Sequence, residues 1–216
     1  TVMIYNENFN RRFESYEPLM RYVDDFDGLQ CAEYQFVSNK GQKLAGYLYT
    51  AGENPRGIIV LAHGFGGGGH NSYMDCASYF AHHGYCVFAY DATGNDESEG
   101  DGVGGLPQGV IDLDYAIRFV EESGRFPDLP IALFGHSWGG YSVCSVLTYH
   151  PEVKAVIACS GFNASSDMFE AEGKRQVGDG IYVMMPFVKL HERLKYGQYA
   201  ANTAMDGFAE SDAAVM

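Results

Sequence analysis

Between Ile131 and Gly139 the chain passes from a short apolar run, Ile131-Ala132-Leu133-Phe134, directly into Gly135-His136-Ser137-Trp138-Gly139, and then into a helix-like segment rich in small residues. A strand that must turn at once into a helix needs glycine on both sides of the turn. The residue at its centre is forced into a strained, exposed position at the carboxyl edge of a sheet. Ser137 holds that centre. With 27 glycines in 216 residues, roughly 0.2 matches to Gly-x-Ser-x-Gly are expected by chance, so the pattern draws its weight from its context.

The context is an alternation of strands and helices. Cys31 to Val37 and Gln42 to Thr50 alternate in polarity around Ser38-Asn39-Lys40-Gly41 and read as an antiparallel hairpin. Gly57 to Ala62 is a buried-strand run that leads into His63-Gly64-Phe65-Gly66-Gly67-Gly68-Gly69, where glycines at a strand end let backbone N–H groups turn inward. Asn71 or Ser72 is expected to cap a helix through Met74, Ala77 and Ala81 that Gly84 ends, and Cys86 to Tyr90 is a fourth strand. From Gln108 to Ser123, Val110, Leu113, Ile117 and Val120 share one helical face, which places Asp112 and Asp114 away from it. Pro151 is expected to stop the helix after Ser137, and Val153 to Cys159 is a sixth strand. The implied fold is α/β, a doubly wound, mostly parallel sheet with right-handed crossovers. Residues 1 to 30 give no clear period and read as an irregular or helical lead-in.

Three motifs, His63-Gly64-Phe65-Gly66, Asp91-Ala92-Thr93-Gly94-Asn95-Asp96-Glu97-Ser98-Glu99-Gly100 and Gly135 to Gly139, follow the third, fourth and fifth strands. In that order and separation the chain resembles the α/β-hydrolase family across about residues 32 to 161, in particular its esterase, monoacylglycerol-lipase-like and serine-aminopeptidase-like branch. The resemblance implies a serine hydrolase acting on small-molecule carboxylic esters through an acyl-enzyme on Ser137. It implies an oxyanion hole from the N–H groups of Phe65 and Trp138, with Gly64, Gly135 and Gly139 shaping loop and elbow, and no cofactor or metal. Asp96 stands where the family often has glycine. Peptidases and thioesterases use the same apparatus.

The resemblance divides the chain into a core with its lead-in, 1–161, a helical lid or cap, 162–212, and the start of a core strand, 213–216. The lid's methionines and aromatics serve either to pack it on the core or to line an acyl pocket above Ser137. The family's acid and histidine follow the seventh and eighth strands, and Ala213-Ala214-Val215-Met216 reads as the opening of an unfinished strand, so the sequence is expected to be a piece of a longer protein. Within it only Asp167 offers a substitute acid, the alternative being a helix cap. His191 reads as a solvated helix histidine, His150 as a helix-end residue, and His63, His70 and His136 as neighbours of the loop and elbow, none of them a base.

A net charge of −14 disfavours nucleic acid and stable attachment to anionic membranes, both of which rely on clustered Lys and Arg. There is neither an 18-residue apolar stretch nor a signal-like N-terminus, so a cytoplasmic location is expected. Five irregularly spaced cysteines, with Cys86, Cys144 and Cys159 inside apolar runs, point to reduced thiols and no zinc. Oligomeric state is open. Two other readings compete: a non-catalytic binding module that keeps the elbow, and a dinucleotide-binding protein from Gly64-Phe65-Gly66-Gly67-Gly68-Gly69, for which Asp91 lies too far downstream.

Overall fold

The computed structural model describes residues 2–216, so Thr1, at the head of the expected lead-in, lies outside the described residues. The strands are β1 (Gln30–Val37), β2 (Lys43–Thr50), β3 (Ile58–Ala62), β4 (Cys86–Tyr90), β5 (Ile131–His136), β6 (Ala155–Cys159) and β7 (Ala214–Val215). They form one sheet in the order β1-β2-β4-β3-β5-β6-β7. The β1–β2 hairpin is antiparallel and joins β4 antiparallel, whereas β4, β3, β5, β6 and β7 run parallel. This is the doubly wound, mostly parallel sheet that the alternation of elements implied, in the α/β-hydrolase form that the three motifs led us to expect.

The helices are α1 (Val2–Phe9), α2 (Met74–His82), α3 (Pro107–Glu122), α4 (Trp138–Ser145), α5 (Ser165–Val177), α6 (Ile181–Tyr196) and α7 (Ala204–Glu210). Side chains alternate across the sheet with period two. Ile59, Leu61, Val87 and Phe134 therefore pack with Met74, Ala77 and Ala81 of α2, while Val60, Phe88 and Leu133 pack with Val110, Leu113 and Ile117 of α3. Because both faces are covered, every residue of β3 and β4 is buried, which is why these strands read as unbroken apolar runs. No helix among the described residues is long and apolar enough to cross a membrane.

Several local expectations change. Neither Asn71 nor Ser72 caps α2: Asn71 binds the Arg21 backbone with both ends of its amide, at 2.9 and 2.7 Å, and Ser72 Oγ donates to the Gly67 carbonyl. A 3₁₀ turn over His70–Tyr73 precedes the helix instead. Helix α4 ends at Ser145 and tightens into a 3₁₀ turn over Val146–Thr148, well before Pro151. Cys159 is only half-buried, unlike Cys86 and Cys144.

The largest correction concerns Asp112 and Asp114, which are fully buried. Asp112 accepts from Ser38 Oγ at 2.7 Å, from the N–H and hydroxyl of Thr93, and from Gln108 Nε2, so one carboxylate joins the β1–β2 turn, the loop after β4 and α3. Asp114 accepts from Arg118, from His150 Nε2 at 2.8 Å and from Tyr199 Oη at 2.6 Å. Hydrophobic periodicity assigns carboxylates to the solvent side, and it cannot register donors that arrive from other parts of the chain. Burial pushes the Asp112 carboxyl above its usual range even against these four donors. Asp112→Ala leaves the Thr93 N–H and Ser38 hydroxyl without their acceptor and is expected to cost about 3 kcal/mol in urea denaturation. A loss under about 0.5 kcal/mol, the range of an ordinary surface substitution, would contradict this assignment.

Candidate active site

Ser137 sits between the last residue of β5 and the first of α4 with φ 53° and ψ −111°. A non-glycine residue there is strained by about 1–3 kcal/mol, and surrounding contacts must hold it. They do so on both sides. The Ser137 N–H donates to the Cys159 carbonyl on β6 at 2.8 Å, and the Ser137 carbonyl accepts from the Tyr141 N–H at 3.0 Å. A Cβ on Gly135 would collide with the Gly139 carbonyl, and one on Gly139 with the Ala62 carbonyl, so the two glycines let the turn close against β3.

The loop after β3 is fixed by His63, which is buried. Its Nε2 accepts the Ala92 N–H at 2.9 Å, so Nδ1 carries the proton and donates to the Gly64 carbonyl at 2.8 Å. Burial pushes its pKa down, and the imidazole works as a neutral strut between the loops after β3 and β4. The Gly64 N–H donates to Tyr73 Oη at 2.9 Å, which leaves the tyrosine's own proton for His136 Nδ1 at 2.8 Å. Asp96 turns the loop after β4 at φ 35° and accepts from the Gly69 N–H and from Ser15, so it binds the glycine loop to the N-terminal segment. Buried Asp91 accepts from both the N–H and Nδ1 of His70, whose ring stacks on Tyr47 with centroids 3.7 Å apart.

Ser137, Phe65 and Trp138 line one cavity of about 270 Å³. Its floor is Trp138, whose indole N–H donates to the Leu106 carbonyl at 2.7 Å, with the Phe65 ring edge-on at 5.7 Å. Its roof comes from Met168 and Phe169 of α5, Met184 of α6 and, from the far end of the chain, Ile4 and Phe9 of α1. Trp138 opens α4, so its backbone N–H has no partner within the helix, and the Phe65 N–H makes no hydrogen bond among the described residues.

Seven histidines occur in the sequence, and among the described residues none bonds the Ser137 hydroxyl. His63, His70 and His136 are engaged as above, His82 and His83 bond backbone carbonyls of their own helix, and His150 lies between Asp114 and Glu152. His191 is half-buried: its ring packs edge-on against Tyr5 at 5.0 Å, with Nε2 buried and unpartnered. Asp167 is exposed in the first turn of α5, 3.5 Å from the Asn163 amide, and makes no hydrogen bond to a histidine among the described residues.

A family model described as serine aminopeptidase, S33, matches residues 53–214. The chain belongs to the S33 serine aminopeptidase family. A monoacylglycerol lipase of Mycolicibacterium smegmatis is 28% identical over 130 residues, which is 60% of this chain and 46% of that protein. The chain thus spans about half the length of the curated relative it matches. Among solved structures, an esterase of Pyrococcus furiosus superposes with a TM-score of 0.65 at 15% identity, covering 90% of this chain and 72% of that one. A thermostable carboxyl esterase of Bacillus coagulans gives 0.52 at 24% identity, with coverage of 72% and 55%. These likenesses show that the S33 chain shares their fold.

Sequence reasoning missed the contribution of α1. Buried Glu192 of α6 accepts from Tyr5 Oη at 2.8 Å and from Ser165 Oγ at 2.7 Å, so one carboxylate clamps α1, α5 and α6 over the cavity. The aromatic pair Tyr5 and Phe9, one helical turn apart, was the available signal. Burial raises the Glu192 pKa, against the opposing charge of Lys195 and the two hydroxyl donors. A carboxyl raised on folding contributes stability that is complete below its unfolded pKa and is lost as pH rises through the folded value. Protease cleavage of α5 and α6 is therefore expected to quicken as pH rises above the ordinary carboxylate range in the wild type. Glu192→Gln should flatten that profile, and an unchanged slope would contradict the role of this carboxyl.

Proposed function

We propose that this protein is a serine hydrolase that cleaves carboxylic esters of small or medium acyl groups. The Ser137 hydroxyl attacks the acyl carbon and loses its proton to a base, the alcohol leaves, and water then cleaves the acyl-enzyme to release the acid and restore the hydroxyl. The observation that carries this reading is the strained Ser137, half-exposed into an apolar cavity beside two backbone N–H groups without acceptors. Those donors, Phe65 and Trp138, would bind the oxyanion, and removing one such donor typically costs about 3 kcal/mol of transition-state stabilisation.

At about 270 Å³ the cavity lies just below the usual range of roughly 300–1,000 Å³ for small-ligand sites. That size, with Met168, Phe169 and Met184 overhead, suits a short acyl chain, and α5 and α6 act as its lid. The relative that is a monoacylglycerol lipase favours an ester over a peptide bond. No described histidine bonds Ser137, so the base and its acid are left unassigned among these residues. A non-catalytic binding module is the second reading, and the same histidine geometry is what favours it.

A fluorophosphonate probe applied to the native protein separates the two. Labelling and turnover of p-nitrophenyl butyrate that both vanish in Ser137→Ala support the hydrolase, while absence of labelling, or turnover that persists in Ser137→Ala, would overturn it. Met168→Trp narrows the cavity and is expected to lower kcat/KM for an octanoyl ester at least tenfold while sparing the acetyl ester. Equal losses on the two esters would place the acyl chain elsewhere.

A further inference from the structure

On the opposite edge of the sheet from Ser137, the end of α3 meets the loop that enters β6. Glu121, His150 and Glu152 converge there, each offering one ligand atom, and these atoms all lie within 4.8 Å of one another. His150 is buried, while the two carboxylates are exposed. Its Nδ1 lies 2.9 Å from Glu152 Oε1 and its Nε2 2.8 Å from Asp114 Oδ1. We propose that Glu121, His150 and Glu152 form a site for a divalent transition-metal ion such as Zn²⁺, bound by one imidazole nitrogen and two carboxylates with water completing the shell.

The first argument is the orientation of the imidazole. Asp114 is fully buried and held by Arg118 and Tyr199, and it takes the Nε2 proton, while Nδ1 donates to Glu152; an ion that displaces this second proton meets Nδ1 directed at the two glutamates. Metal-binding histidines usually donate their second ring N–H to a carboxylate in this way, which fixes tautomer and ring direction before the ion arrives. The second argument is reach. Zinc ligands at their usual bond lengths stand about 3.4 Å apart, and the three donor atoms here lie within 4.8 Å of one another, two of them on exposed side chains. The third is access: Glu121 and Glu152 also line an open cleft between α3 and the starts of β3 and β5, so an ion can arrive from solvent. Lys154 lines the same cleft and Arg118 acts on Glu121, so an incoming metal competes with both cations. The donors lie 31 residues or fewer apart but on two elements, with none of the Cys and His spacing by which zinc sites are recognised in sequence, so no metal was legible there.

The site lies apart from Ser137, so its test needs no catalytic activity. Zn²⁺ is titrated calorimetrically into chelator-treated protein and into Glu121→Gln/Glu152→Gln, a near-isosteric pair that keeps His150 and Asp114 in place. The expected result is a wild-type binding event whose affinity falls at least tenfold in the double variant, with a rise in Tm on adding Zn²⁺ that the variant loses. Mg²⁺, which prefers all-oxygen shells, should not substitute. Zinc held by the free cysteines would persist unchanged in the variant. Equal binding by both proteins, or by neither, would overturn the proposal and leave His150 as an imidazolium between carboxylates.

Discussion

The backbone of Ser137, held at a positive φ between β5 and α4, is the constraint on which the rest of the site depends. About 1–3 kcal/mol of local strain survives only where packing over-determines the turn. The carbonyls of Ala62 on β3 and Cys159 on β6 supply that from either side, one by close approach to Gly139 and the other by accepting the Ser137 N–H. The elbow therefore cannot relax without disturbing both neighbours of β5. This accounts for a half-exposed serine held at the carboxyl edge of the sheet.

Around that fixed point polar side chains tie separate loops together. His63 joins two loops as a neutral strut, Asp96 joins the glycine loop to the N-terminal segment, and Asp112 joins a hairpin turn to α3. Asp96 is half-buried, whereas His63 and Asp112 are buried and hydrogen-bonded, the condition under which a polar network specifies one arrangement. Glu192 does the same for the roof, and there the raised carboxyl pKa makes the closure sensitive to pH.

The core was legible because its signals are local. An apolar run such as Ile58 to Ala62 can only be a strand covered on both faces, and glycines at positions 135 and 139 can be read as a sharp turn from their identity alone. What escaped notice depends on partners distant in sequence. Asp112 and Asp114 read as solvent-facing because Ser38, Thr93, His150 and Tyr199 are invisible to a helical period. Tyr5 and Phe9 sit in a stretch of mixed polarity, and their place over Ser137 follows from a contact with Glu192 across 187 residues. His191 looked solvated because helix periodicity does not reveal an aromatic arriving from α1.

The most direct test of the chemistry assigned to the elbow is a crystal structure of the protein after reaction with an alkyl phosphonate. The account predicts phosphorus bonded to Ser137 Oγ, its free oxygen about 2.7–3.1 Å from the N–H groups of both Phe65 and Trp138, and the alkyl chain beneath Met168 and Met184. An adduct on another residue, or a phosphonyl oxygen turned away from both N–H groups into solvent, would contradict it.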